Sequence, residues 1–343
     1  ILFRLVGSEM CIRDRFRHLF EMALLLSEWQ LNFKKETKMR IATMATGGIG
    51  GFLAVKLTKA GHEVATIARG AHLEAIRQNG LRLSTDSGVE NVTPWRASSK
   101  TTEIGPVDAI IFGVKCNALE EAAKECIPML HETTAVIPFL NGVEAAERLL
   151  EVLPEHNVVN GLAKISTTIS EPGTISQVGN FAQFIFAERN SKPSKRIERL
   201  QNALTSADAD APKTDDIDRD LWSKFVLFTA MSGVTAAARC NVGDILGSNA
   251  LSELCKNILS ETAMLGRLRG INLSTHLEAD LWDAISKLPK NMRASTAIDL
   301  ENNRPLETKW ISGAAVRLAQ QSGEEAHLNK AIYALLSPYE KGL

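Results

Sequence analysis

The apolar positions of this chain follow two regimes. Up to about residue 206, short apolar runs alternate with stretches in which apolar residues recur every three or four positions. From about Asp218 onward only the second, helical pattern remains. Residues 40–44 form a short apolar run that meets the glycine cluster Gly47, Gly48, Gly50 and Gly51; a helical pattern follows, then a second apolar run ending in Arg69. Residues 107–114 (VDAIIFGV) and 134–140 (TAVIPFL) are nearly continuous apolar runs, as expected of strands buried on both faces. A helical pattern over 118–130 lies between them. Shorter strands are expected at 81–85 and 92–97 around a turn at Asp86-Ser87-Gly88. Further strands are expected at 158–166, 174–178 and 181–187, with turns at Glu171-Pro172-Gly173 and Gly179-Asn180. A helix over 194–206 follows. This alternation implies an α/β fold with a doubly wound, mostly parallel sheet of the Rossmann type.

The second regime predicts an all-helical C-terminal domain. Leu251, Leu254, Cys255, Ile258, Leu259, Thr262 and Leu265 share one helix face, with Asn249 as the expected cap and Gly270 as the stop. Leu277, Leu281, Ile285 and Leu288 repeat about every turn until Pro289, and another helix begins near Trp310. These stripes are core. The expected division is a dinucleotide-binding part over 39–216 and a helical part over 217–343. Residues 1–38 lead poorly into the first strand. The run 5–15 (LVGSEMCIRDR) resembles a translated sequencing-adaptor read-through, which makes Met39 the expected natural start. A transit peptide is the competing reading, since Arg13, Arg15 and Arg17 precede Leu19, Phe20, Leu24 and Leu25; Glu21, Glu28 and Glu36 oppose it.

Composition narrows the function. The 343 residues are 45% apolar and 23% charged, with a net charge of −1, the profile of an ordinary globular protein. Near-neutral charge disfavours nucleic acid as a main partner, and no apolar stretch approaches the roughly 20 residues that span a bilayer. The cysteines, Cys11, Cys116, Cys126, Cys240 and Cys255, form no C-x-x-C pair. They suit free thiols in a reducing, cytoplasmic setting. The seven histidines are scattered, so no metal site is expected.

The strand–glycine turn–helix–strand order of 40–69 is the unit that lays a pyrophosphate on a helix N-terminus. Thr46, Gly47, Gly48, Ile49 and Gly50 are the expected cradle, because glycines let the backbone approach the phosphates without a Cβ in the way. Ala45 stands where G-x-G-x-x-G has its first glycine. Arg69 stands where an NAD site usually places an acid on the ribose 2′-hydroxyl; a cation there favours the 2′-phosphate of NADP(H).

From Met39 to about Tyr339 the chain resembles the ketopantoate reductase (2-dehydropantoate 2-reductase) family. The resemblance rests on motifs in the family's order. They are the glycine turn, Val114-Lys115, Leu140-Asn141-Gly142-Val143, Glu171-Pro172-Gly173, Leu221-Trp222-Ser223-Lys224 and Arg304-Pro305-Leu306-Glu307. It implies a Rossmann domain, a helical domain and a cleft where NADPH reduces a 2-oxo acid. It implies Lys224 as the catalytic proton donor and Glu307 as the acid that holds a substrate hydroxyl or orients the lysine. Ser295 would hold the substrate carboxylate. Asn141 and Lys115 would meet cofactor and substrate at the carboxyl end of the sheet. The plain alternatives are a solvated Lys224, a surface salt bridge of Glu307 with Lys309 or Arg304, and simple turn chemistry at Asn141-Gly142.

One departure concerns the substrate. The family commonly carries amides one and two turns after the catalytic lysine, whereas this chain has Phe228 and Ser232, on the same helix face as Lys224. A wall without those amides binds a hydroxylated substrate less well, by about 1 kcal/mol per missing bond. Ketopantoate is the first candidate and another 2-oxo acid the second. A non-catalytic NADP-binding regulator is the rival from another class. A small-molecule substrate is the expected partner, and apolar faces of the helical part suit a homodimer.

Overall fold

The computed structural model describes residues 38–342. The leader expected over 1–38 therefore lies outside the described residues, apart from Lys38. In chain order the first half runs β1 (Arg40–Met44), α1 (Gly48–Lys59), β2 (Glu63–Ile67), α2 (Gly70–Asn79), β3 (Leu81–Thr85), β4 (Gly88–Val92), β5 (Arg96–Ser98), β6 (Ala109–Phe112), α3 (Leu119–Cys126), β7 (Ala135–Pro138), α4 (Ala145–Leu150), β8 (Asn160–Glu171), β9 (Thr174–Ala187) and α5 (Lys195–Ser206). The second half is helical: α6 (Ile217–Ala237), α7 (Val242–Gly247), α8 (Asn249–Leu268), α9 (Leu277–Ser286), α10 (Ser295–Glu301), α11 (Ser312–Gln321) and α12 (His327–Leu336).

The main sheet is parallel, in the order β5-β2-β1-β6-β7. Strands β1, β6 and β7 are buried along nearly their whole length, which is why they read as apolar runs. The strand order reverses at β1. Ligands of such sheets collect beyond the carboxyl end of the strands at that switch point, which here is Ala45–Gly47.

Three strand expectations are corrected. The strand expected at 92–97 is two strands: β4 pairs antiparallel with β3, Leu81 opposite Val92 and Thr85 opposite Gly88, while β5 joins the main sheet beside β2. Pro94, which lacks an N–H, falls in the break. Second, β8 and β9 do not extend the main sheet. They form a separate sheet of order β4-β3-β9-β8, in which β8 and β9 run antiparallel. Third, Gly179-Asn180 is no hairpin turn. Strand β9 passes through it, and the pairing shifts from Ile165–Ala182 to Thr167–Gln177. Gly179, at φ 70°, takes the left-handed conformation within this bulge.

Helix α1 lies against the second sheet, and its glycines permit the contact. A Cβ on Gly51 would stand 2.5 Å from Ile175 Cγ1, and the Phe52 ring stacks on Phe184 at 5.8 Å. In the helical half the long α6 starts at Asp216, whose carboxylate accepts the Arg219 N–H at 2.9 Å. It packs on α8, where a Cβ on Gly266 would stand 2.9 Å from the Trp222 ring. The cap of α8 is Ser248, accepting from Leu251 N–H at 3.3 Å, and not Asn249, which is the first helical residue. Gly270 (φ 81°) ends the helix as expected. Among the described residues no helix is long and apolar enough to cross a membrane.

Candidate active site

The chain leaves β1 through Ala45 at φ 55°. This is the left-handed conformation that explains why the motif's first position favours glycine; an alanine costs about 1 kcal/mol there. Thr46 is buried and stitches the turn to β2, its N–H donating to the Ile67 carbonyl at 2.8 Å and its hydroxyl lying 2.9 Å from that of Thr43. Gly50 serves packing: a Cβ would stand 2.9 Å from the Ala45 carbonyl oxygen. Gly48 lies beneath β8, where a Cβ would meet the Thr167 carbonyl oxygen at 2.5 Å.

A cleft of about 290 Å³ opens beside this turn, lined among others by Ala45, Thr46, Gly47, Arg69, His72 and Glu125. Of the candidate cofactor residues, Thr46, Gly47 and Arg69 line it. Gly48, Ile49, Gly50, Lys115 and Asn141 fall outside its lining. The surroundings fit a dinucleotide phosphate. No side chain caps the first turn of α1, so its N–H groups remain available. A Cβ on Gly47 would find its nearest neighbour at 3.6 Å, and the Thr167 hydroxyl above Gly48 is buried without a partner.

His72 was not singled out by the sequence, where it is a lone histidine without a spacing signal. Its Nδ1 accepts the Gly173 N–H at 2.9 Å, so a neutral ring donates from Nε2 to the Thr46 carbonyl, also at 2.9 Å. The ring thus ties the glycine turn to the Glu171-Pro172-Gly173 turn. Burial lowers its pKa below the ordinary 6.5, and the bond to Thr46 opposes this.

The second constellation lies at the carboxyl ends of β6 and β7. Lys224, on α6, donates from Nζ to Asn141 Oδ1 at 3.3 Å. Asn141 Nδ2 donates to Glu307 Oε2 at 3.1 Å, and Glu307 Oε1 accepts the Cys116 N–H at 3.0 Å. Lys224, Asn141 and Glu307 therefore form one hydrogen-bonded chain, and Asn141, with a bond on each amide atom, has its orientation fixed. Gly142 (φ 87°) makes the loop possible, since a Cβ there would stand 2.5 Å from the Trp310 carbonyl oxygen. Burial pulls the Lys224 ammonium down to about 8; Glu307 opposes the shift and Lys164 adds to it. The Lys224 Nζ also stands 5.5 Å from the centre of the Phe228 ring.

Behind this chain stand Cys116 and Arg148, which carried no sequence signal for the site. Arg148 stacks on Trp310 at 3.5 Å, bonds Glu120 at 2.7 Å and donates to the Cys116 carbonyl, fixing the loop that presents the Cys116 N–H. The Cys116 thiol donates to the Asn141 carbonyl at 3.4 Å, and burial pushes its pKa up. Trp222, two residues from Lys224, packs into the helical core against Phe225.

Lys115 is exposed and pairs with Asp299 at 3.4 Å, joining the end of β6 to α10. Arg304 reaches that same Asp299 at 3.8 Å, whereas Glu307 bonds Cys116 and Asn141. Ser295 is exposed at the start of α10, which the Thr235 hydroxyl ties to α6 by accepting the Ala294 N–H at 3.4 Å. Ser232, one turn before Thr235, is buried with a hydroxyl that has no partner. Arg69 is in an ion pair with Glu125 at 2.5 Å. Among the described residues no cluster of three or more His, Cys, Asp or Glu side chains is placed to hold a metal ion.

Residues 41–191 match the family described as Ketopantoate reductase PanE/ApbA, and residues 216–340 match its C-terminal domain. A 2-dehydropantoate 2-reductase of Mesorhizobium japonicum is 27% identical, over 87% of this chain and 97% of its own. The crystal structure of 2-dehydropantoate 2-reductase from Porphyromonas gingivalis W83 superposes with a TM-score of 0.77 at 29% identity, covering 88% of this chain and 99% of that one. A D-mandelate dehydrogenase in a ternary structure with NADH and anilino(oxo)acetate shares the fold, with a TM-score of 0.80 at 20% identity over 88% of this chain and 98% of its own. With both halves matched in order, the chain belongs to the PanE/ApbA ketopantoate reductase family, a family of oxidoreductases acting on CH–OH groups.

Proposed function

We propose that this chain reduces a small 2-oxo acid with NADPH, ketopantoate to pantoate being the first candidate. The observation that carries the reading is the bonded chain Lys224–Asn141–Glu307 at the carboxyl end of the parallel sheet. The nicotinamide, when bound, supplies the hydride to the carbonyl carbon. The π pair of that carbonyl moves onto its oxygen, and Lys224 Nζ delivers the proton that turns the oxygen into a hydroxyl. An ammonium near 8 suits this task, being charged at neutral pH yet ready to release its proton. Asn141 aims Nζ, and Glu307 holds Asn141 while keeping negative charge close enough to favour the ammonium. Ser295, Lys115 and the buried Ser232 hydroxyl supply polar contacts for the acid. Arg69, now paired with Glu125, is the cation that would take the 2′-phosphate. A non-catalytic sensor has no use for a half-buried ammonium so aligned.

Phe228 and Ser232 favour a second reading within the same chemistry, a 2-oxo acid lacking ketopantoate's hydroxyl. The experiment is a steady-state assay of the full chain with NADPH and a panel of hydroxylated, aliphatic and aromatic 2-oxo acids. The first reading expects ketopantoate to have the highest kcat/KM; a hydroxyl-free acid ahead of it by more than about tenfold establishes the second.

Residues 39–216 handle the cofactor and 217–343 the substrate. The enzyme works in the cytoplasm, in keeping with the buried free thiols of Cys116, Cys126, Cys240 and Cys255. The exposed Met264 and Leu268 of α8 offer an apolar face for pairing two copies, which sedimentation of the full chain tests.

A further inference from the structure

The wall of the cleft formed by α3 is acidic. Glu121 and Glu125 are four residues apart, on one face of the helix, and both line the cleft. Arg69, the cation that would meet a 2′-phosphate, already has an anion. Its guanidinium stands 2.5 Å from the Glu125 carboxylate, with the Arg69 side chain 64% exposed and that of Glu125 36% exposed. We propose that Glu125 is a specificity-determining residue, which competes with the 2′-phosphate for Arg69 and so sets the ratio in which the chain binds NADPH and NADH. The inference rests on the dinucleotide reading of the cleft.

The competition follows from charge and placement. An exposed ion pair is held weakly, so a phosphate dianion can take Arg69 from a carboxylate. The displaced Glu125 nevertheless stays on the same wall, beside Glu121, and both repel the phosphate across the cleft. NADH makes no such demand. Its 2′-hydroxyl can donate to Glu125, which then does from α3 what an acid at the end of β2 does in an NAD site, while Arg69 remains paired. A cation at the end of β2 favours NADPH; the acid facing it offsets that preference. The cleft therefore accepts both cofactors, with Glu125 setting how far NADPH leads.

Titration of reduced-cofactor fluorescence with the full chain, at low ionic strength, gives dissociation constants for NADPH and NADH. The variants are Glu125→Gln, Glu121→Gln, Arg69→Ala and the double variant Arg69→Ala/Glu125→Gln. Glu125→Gln should raise the preference for NADPH over NADH by about fivefold, the scale of an exposed ion pair. Glu121→Gln removes the same charge from the same wall without freeing Arg69, and should shift the preference less. In the Arg69→Ala background the effect of Glu125→Gln should shrink, leaving only what Glu125 does directly to phosphate and ribose. A change below about 1.5-fold in Glu125→Gln, a shift equal to that of Glu121→Gln, or an undiminished shift without Arg69 overturns the inference. Failure of wild-type protein to bind either cofactor overturns the dinucleotide reading and this inference with it. Binding without turnover counts against the proposed reaction alone.

Discussion

Two residues carry a measurable electrostatic or conformational signature. As the proposed donor Lys224 must be charged to give a proton, and burial holds it at about 8 against an ordinary 10.5. In the reduction direction kcat should therefore fall as pH rises through about 8, and in the oxidation direction, where the neutral amine receives the proton, it should rise over the same range. Paired pH profiles measure this; a reduction rate flat from pH 7 to 10 counts against Lys224 as donor. Ala45 holds a φ of 55° that alanine adopts reluctantly. Ala45→Gly removes that strain but gains entropy in the unfolded chain, so stability should change by no more than about 1 kcal/mol. NADPH binding should be retained, as a titration checks. Loss of binding would show that the methyl group, not the turn, matters. Lys224, Asn141 and Glu307 could be singled out because each lies in a motif of the family the chain resembles. Cys116, Arg148, His72 and Glu125 could not, because their roles exist only through contacts between distant parts of the chain. The Cys116–Glu307 bond joins residues 191 positions apart.

At the scale of elements, the fully buried parallel strands were legible because burial on both faces leaves an unbroken apolar run, as at 107–114 and 134–140, whereas the short, polar β5 was not. The strands of the second sheet were legible as strands at 81–85, 158–166, 174–178 and 181–187, but their grouping into a separate sheet was not. Strands β8 and β9 mix buried with exposed positions, and the Gly179-Asn180 signal marks a bulge where the same residues elsewhere would make a turn. Two connections between elements bear testing. Gly142→Ala places a Cβ 2.5 Å from the Trp310 carbonyl oxygen at a left-handed φ. It should cost about 2 kcal/mol or more of stability in denaturant titration and displace Asn141, lowering kcat. Stability within about 0.5 kcal/mol of wild type would contradict the tight crossing. His72 ties the glycine turn to the Gly173 turn as a neutral ring, with a folded pKa below 6.5. The unfolded chain binds more protons between that value and 6.5, so stability rises with pH through this window and is lost as pH falls below about 6.5. Thermal unfolding at pH 7.5 and 5.5 should show a larger loss for wild type than for His72→Gln; equal losses would contradict the neutral tie.

At the scale of the molecule, the site is made by both halves. The parallel sheet contributes Asn141 and the Cys116 N–H, and the helical half contributes Lys224 and Glu307. Neither half holds the bonded chain alone. The most direct test of this account is single-turnover reduction of a 2-oxo acid by the NADPH-loaded full chain, wild type against Lys224→Ala, with the NADPH dissociation constant measured in parallel. The account predicts a rate lower by roughly 10²–10⁴ in Lys224→Ala with NADPH affinity little changed. A loss below about threefold with NADPH bound would contradict it.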